Sequence, residues 1–201
     1  MTSIPTLSEN RLRRAGLAAF FRPQELQALQ VDYEELRRLT RAGILERVAR
    51  GLYRFSGAEP TENYSLAAVC ARVPRSVVCI LSALRVHEIG TRVPAAVWLA
   101  IPNKARPPRI HDIKVRLVRF SGAAWTYGVV QTSFEGVSAR ITNPARTIVD
   151  CFRFEQRIGR EAAMEAVREA LRQKKVTTDA LYRTLEVLPS RRLTAVLEAM
   201  A

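Results

Sequence analysis

Cysteine and histidine are scarce in this chain, and no apolar run approaches the roughly 20 residues of a bilayer span, which removes several classes of protein at the outset. Cys70, Cys79 and Cys151 are odd in number, far apart and never in a CxxC pair, so neither a disulfide framework nor a zinc knuckle is supported. They read as small buried apolar residues in a reducing compartment. His87 and His111 have no second ligand at metal-binding spacing, so no metal and no cofactor is expected. The segment Met1 to Arg14 is polar and arginine-rich and lacks a secretory apolar core, so a cytosolic protein away from membranes is expected. No glycine-rich phosphate loop, G-x-S-x-G elbow or kinase motif occurs.

Lysine is scarce too. Lys104, Lys114, Lys174 and Lys175 are the only lysines, so the excess of 32 basic over 19 acidic side chains, +13 in all, is an arginine excess. Such a charge favours a polyanionic partner, and the planar guanidinium fork suits phosphates and guanine edges. Arginine-heavy usage can also follow genome base composition, so the position of the charge has to decide. A hydrophobic content of 48% over 201 residues supplies enough apolar surface for two folded domains.

The first part of the chain reads as three helices and a hairpin. Leu7 to Ala15 is a short helix, and Pro23 opens a second with Leu26 and Leu29 on one face. Asp32 and Glu35 form a D-x-x-E start for a third, over Tyr33 to Ala42, which Gly43 stops. Ile44 to Val48 and Leu52 to Phe55 are two short strands around Ala49-Arg50-Gly51. This order is that of a winged helix-turn-helix. On the third helix Leu36, Leu39 and Thr40 share one side, while Glu34, Arg37, Arg38 and Arg41 share the other. A recognition helix needs that separation, because its apolar side packs on the domain and its basic side enters the major groove. A solvated surface helix has the same pattern, but here the arginines coincide with a short inter-helix break and a following hairpin. The expected DNA contacts are Arg37, Arg38 and Arg41, with Tyr33 and Arg22 at the helix starts and Arg47 and Arg50 flanking the wing.

The small, polar stretch Ser56 to Thr61 suggests a boundary, giving a DNA-binding domain at 1–58 and a C-terminal domain at 59–201. The fold class expected is α+β: the winged helix, then a mixed α/β domain that ends in helices from about residue 143. Tyr64 to Arg72 and Val77 to Ile89 read as helices, and Val97 to Ile101 as a buried strand. In Ile113 to Phe120 the side-by-side Leu117 and Val118 point to a bulge or to a strand buried on both faces. Two strands around Glu135-Gly136 follow. Asn143-Pro144 then starts a helix as cap and first-turn proline. Residues 1–56 hold only +4 of the charge, so +9 lies beyond them, including Lys104, Arg106, Arg109, Lys114, Arg116 and Arg119.

Two enzymatic readings are weaker. Asp112-Ile113-Lys114 mimics half of a metal-dependent nuclease site, but the upstream carboxylate is missing, Glu88 being the nearest. Ser82, His87, Arg146 and Asp150 are polar residues in apolar helical segments, yet Arg146 and Asp150 are four apart and can simply pair. No catalytic residue is assigned.

Several segments, taken in order, resemble the AbiEi family of antitoxins from bacterial type IV toxin–antitoxin systems. They are Leu36-Arg37-Arg38-Leu39-Thr40-Arg41-Ala42-Gly43-Ile44-Leu45-Glu46-Arg47-Val48-Ala49-Arg50-Gly51-Leu52-Tyr53, Ser82 to His87, Val97 to Pro102 and Thr142 to Asp150. The resemblance implies a repressor that binds operator inverted repeats in double-stranded DNA through its N-terminal domain. It further implies a C-terminal domain that counters a nucleotidyltransferase-like toxin encoded alongside, a partner that is genetic first and physical second. A repressor unrelated to any toxin, with a dimerising or ligand-sensing C-terminal domain, is the alternative. The family tends to have glycine in the turn before the recognition helix; here that residue is Gln30, which bears on the turn's geometry.

Overall fold

A computed structural model describes Leu12, Leu17 and residues 20–57 and 61–200. The helix expected over Leu7–Ala15 lies outside these residues apart from Leu12, which is helical and buried. The chain divides into two compact units, residues 1–74 with 133–138, and residues 75–132 with 139–201.

In the first unit Pro23 supplies a pre-set φ to the opening turn of α1 (Pro23–Gln27), and the Glu25 carboxylate accepts the Arg22 N–H at 2.9 Å. The chain then reverses tightly, with the Leu29 and Val31 N–H groups both donating to the Leu26 carbonyl. Between them Gln30 lies in the left-handed region at φ +59°. For a residue with a Cβ this conformation costs about 1–2 kcal/mol, and glycine largely avoids that cost. The turn therefore keeps the backbone shape that suits glycine while carrying glutamine.

The second helix, α2 (Tyr33–Arg41), begins where Asp32 Oδ1 accepts the Glu35 N–H at 2.8 Å, and it is followed by Gly43 at φ +71°. Strands β1 (Leu45–Ala49) and β2 (Leu52–Phe55) form an antiparallel hairpin whose register shifts between Arg47 and Ala49. Phe21 adds an antiparallel bridge to Tyr53 through two backbone hydrogen bonds of 2.9 and 3.0 Å. Leu26, Val31, Leu36, Leu39 and Leu45 bury one side of α1 and α2 against Phe21 and Tyr53. A further helix, α3 (Tyr64–Arg72), braces the hairpin: Arg72 Nε donates to the Val48 carbonyl at 2.9 Å. The ring of Tyr64 stacks on Phe20, with centroids 5.5 Å apart, and carries the Arg54 guanidinium 4.6 Å from its centre. Helix, tight turn, second helix and two-stranded wing make this a winged helix-turn-helix.

The second unit is mixed α/β. Its sheet has the order β5-β4-β3-β7-β6, made from β3 (Val77–Val78), β4 (Val97–Pro102), β5 (Val115–Phe120), β6 (Val129–Phe134) and β7 (Val137–Thr142). β4 runs antiparallel to β3 and parallel to β5, and β3 runs parallel to β7. The helix expected over Val77–Ile89 is corrected at its start. Val77 and Val78 form the sheet's central rung, opposite Ala100 and Leu99, before helix α4 (Ile80–Val86) begins. An apolar run buried on all sides fits a strand and a helix equally well by periodicity, and here the neighbouring strands win. The change of direction leaves Ile80 at φ +51°, a strained conformation for a β-branched residue. Along β5 the six-residue register with β4 is unbroken, so there is no bulge. Instead Leu117 is partly buried on the face opposite Val118, and Arg157 Nη1 donates to the Leu117 carbonyl at 2.8 Å.

Five helices finish the chain: α5 (Pro144–Arg153), α6 (Glu155–Ile158), α7 (Arg160–Arg172), α8 (Thr178–Val187) and α9 (Arg191–Met200). Trp98, Ala100, Val118 and Phe120 share one core with Ile148, Phe152, Val167, Leu181 and Leu193. Burial pushes the Cys70 thiol up to about 12, and the Cys79 and Cys151 thiols are raised as well, so all three behave as apolar filler.

Gln30→Gly should stabilise the first unit by about 0.5–1 kcal/mol, because relief of left-handed strain outweighs the entropy glycine adds to the unfolded chain. Gln30→Val should destabilise it. Urea titrations followed by circular dichroism would check both, and a glycine variant less stable than wild type would show that the Gln30 side chain outweighs its backbone strain.

Candidate nucleic-acid interface

Every polar group that α2 turns outward is a candidate contact. Tyr33 is 64% exposed, and Arg37, Arg38 and Arg41 all lie on the solvent side, while Leu36 and Leu39 are buried opposite them. The acidic residues come first along the helix and the basic ones last, an order that suits the helix dipole. Arg37 reaches Glu34 at 3.5 Å and Arg38 reaches Glu35 at 2.6 Å, each pair three residues apart. Exposed pairs of this kind contribute about 0–1 kcal/mol, so a phosphate or a base edge can displace the carboxylates at small cost. Arg41 has no such pair among the described residues. The separation seen on the helical wheel is thus present in three dimensions, tempered by two carboxylates that partly neutralise the arginines.

Arg22 stands exposed at the cap of α1, and Arg47 and Arg50 are exposed on the wing. Arg47 Nε donates to the Ala49 carbonyl at 3.3 Å, which folds it along the hairpin. A third wing arginine, Arg54, has a different role. It is buried, its Nε lies 2.8 Å from the Glu46 carboxylate, and its guanidinium covers Tyr64. Glu46 and Arg54 are register partners across the hairpin, a pairing readable from the strand assignment alone.

In the second unit Lys104, Arg106, Arg109, Lys114, Arg116 and Arg119 are all exposed. Arg119 is committed locally, since its Nη1 donates to the carbonyls of Pro102, Asn103 and Ala105 and holds the loop after β4. The other five remain as a basic surface.

The residues that a catalytic reading would use are each engaged in holding the fold. Ser82 Oγ accepts the Trp98 N–H at 2.9 Å, and His87 Nε2 donates to the Thr142 carbonyl at 2.7 Å. Arg146 is wholly buried, and each of its three guanidinium nitrogens has a partner. Its Nε meets Asp150 at 2.8 Å, Nη1 and Nη2 donate to the carbonyls of Tyr127 and Ala124 at 2.6 and 3.0 Å, and its plane lies 4.7 Å from the Phe120 ring centre. Arg153 adds a second cation to Asp150 at 3.0 Å. Burial raises the Asp150 carboxyl above its ordinary value, against the downward pull of both guanidinium groups. Asn143 caps α5 by accepting the Arg146 N–H at 2.9 Å, as the Asn-Pro start predicts. Sequence reasoning placed the Arg146–Asp150 pair but missed Gly128, which lies at φ +64° and where an added Cβ would fall 2.8 Å from Arg146 Cβ, leaving no room for a side chain. Among the described residues no three His, Cys, Asp or Glu side chains gather to hold a metal, and no helix is long and apolar enough to cross a membrane.

An outward-facing arginine helix inside a winged helix-turn-helix defines the class of DNA-binding transcription regulators. Comparison with known families narrows this: residues 12–56, the segment holding α1, α2 and the wing, match the family model described as transcriptional regulator, AbiEi antitoxin. The AbiEi resemblance is shown over that segment. Among solved structures, the chain is similar to the RV2827C protein from Mycobacterium tuberculosis, at a TM-score of 0.55 and 16% identity, over 90% of this chain and 70% of that one. At that identity the likeness concerns the fold alone. Among curated proteins none matches.

Asp150→Ala should cost about 3–5 kcal/mol by stranding the Arg146 charge in the interior, and Arg146→Met with Asp150→Leu together should cost less than Asp150→Ala alone. Calorimetric melts would decide it; strictly additive losses would mean the two charges do not depend on each other.

His87 gives a pH dependence. Burial holds its pKa below the usual 6.5, ahead of the opposing hydrogen bond to Thr142, so the folded protein takes up the proton less readily than the unfolded chain. Stability present above about pH 6.5 should be lost as pH falls below it toward the lower folded-state pKa, and His87→Gln should flatten the profile over that fall. Parallel profiles for the two proteins would remove His87 from the account.

Proposed function

We propose that this protein is a DNA-binding antitoxin that represses its own operon through α2 and the wing. The observation that carries the reading is a coincidence of two independent facts. The segment matching the AbiEi regulator family is the segment that folds into the helix-turn-helix and turns Arg37, Arg38 and Arg41 to solvent. In this reading α2 enters the major groove, Tyr33 and Arg22 bind the phosphates that flank it, and Arg47 and Arg50 follow the backbone from the wing. The second unit counters a nucleotidyltransferase-like toxin encoded next to it. The five exposed cations from Lys104 to Arg116 add phosphate contacts from the second unit and deepen the salt dependence of binding. The division between the DNA-binding and antitoxin functions is proposed at residue 58, whereas the compact first unit continues through α3 to residue 74.

Two assays test the two halves of this reading. Co-expression with the neighbouring gene product should show rescue of growth by the full chain, and continued rescue when residues 1–58 are deleted. Absence of rescue by either would leave a repressor with no toxin to oppose.

For DNA, Arg37→Ala, Arg38→Ala and Arg41→Ala should each weaken binding to the upstream inverted repeats with the fold intact. Loss of a base contact should cost about 1–3 kcal/mol at one position of the site, and loss of a phosphate contact should reduce the salt slope by about one. Fluorescence anisotropy at several salt concentrations separates these cases. A triple variant that binds as tightly as wild type would overturn α2 as the reading element.

A further inference from the structure

The helical end of the second unit carries a feature that DNA binding does not use. Helices α7 and α9 both pack on α5, and beside Phe152, at the end of α5, they leave a half-open cavity of about 630 Å³ between them. Its floor is apolar: Phe152, then Met164 from α7, and Val196 and Met200 from α9. Spacing explains how it is built. Arg160, Met164 and Arg168 recur every four residues and so form one stripe of α7, while Arg192, Val196 and Met200 do the same on α9. The α7 stripe thus puts one apolar residue in the trough between two guanidinium groups, and the α9 stripe puts two apolar residues there beside one. Arg160 and Arg168 make no ion pair among the described residues, and Arg192 shares Glu155 at 3.3 Å. A second opening of about 440 Å³ shares Phe152 and Arg192 and prolongs the trough past Arg153.

We infer that this trough is a docking groove for an acidic amphipathic α-helix presented by a partner protein. Two facing stripes with an apolar centre match the i, i+3 or i+4, i+7 anchors of a helix laid in a groove, and the volume accommodates a few such side chains. Methionines on both walls let the floor adapt to different anchors. The charge decides the sign of the occupant, because three arginines on the rim select carboxylates beside the anchors. A second copy of this chain is disfavoured, since each copy carries +13 and repels the other. The inference does not rest on the repressor reading, because the groove uses no residue of α2 or the wing.

The test uses the full chain and a fluorescein-labelled helical peptide of about four turns, with leucines at the anchor spacing and glutamates flanking them. A control peptide has lysine in place of every glutamate. The glutamate peptide should bind at least about tenfold more tightly than the lysine peptide. Arg160→Glu with Arg168→Glu should reverse that preference, and Met164→Glu should abolish binding of both. These three side chains are exposed or partly exposed, so melting temperatures should stay close to wild type and confirm that the fold is retained. Arg37→Ala with Arg38→Ala and Arg41→Ala should leave peptide binding unchanged even if operator binding is lost. No binding of either peptide, or glutamate-peptide binding untouched by the α7 substitutions, would overturn the groove assignment and reduce any attraction to the chain's general positive charge.

Discussion

A guanidinium group with no access to water organises the second unit. Arg146 draws the carbonyls of Ala124 and Tyr127, the carboxylate of Asp150 and the ring of Phe120 around one point, so strand β5, the turn before β6 and helix α5 meet there. A buried charge is tolerated only when its donors are satisfied, and here three donor nitrogens are. The arrangement leaves Gly128 without space for a side chain and commits Asp150 to a structural role. It also gives a structural account of a constellation that looks chemical in one dimension: Ser82, His87, Arg146 and Asp150 are each bonded to backbone or to one another.

Much of the first unit is legible in the sequence because its determinants are local. Pro23 at a helix start, Asp32 as a cap, Gly43 after the last turn and Gly51 in the hairpin each act within a few residues, and the structure has elements at those places. The outward position of Arg37, Arg38 and Arg41 follows from the same periodicity that buries Leu36 and Leu39. What periodicity could not give is the state of those arginines. Their engagement with Glu34 and Glu35 depends on side-chain reach, and the burial of Arg54 depends on Tyr64 approaching from a later helix.

The second unit is harder to read for a physical reason. Val77-Val78 is apolar, short and enclosed between strands distant in sequence, so its identity as a strand is decided by Leu99, Ala100 and Ile141 rather than by its own pattern. The strain at Ile80 is the mark of that tertiary decision, since a free chain would not place isoleucine at a positive φ. The helical end of the chain is legible by contrast from the Asn143-Pro144 start of α5 onward, but the separate helices α6 and α8 are not assigned from the sequence.

The carboxylates beside Arg37 and Arg38 bear on how a basic protein behaves in a crowded nucleoid. A bare arginine helix on a chain of +13 would linger on any stretch of duplex, and time spent there is time lost in finding a short operator. Glu34 and Glu35 stand ready to take back their arginines whenever a contact fails to form well. If α2 reads DNA as proposed, weak encounters are therefore shed quickly and only a site that outcompetes both glutamates holds the protein, so the acidic residues of the recognition helix set the pace of the search.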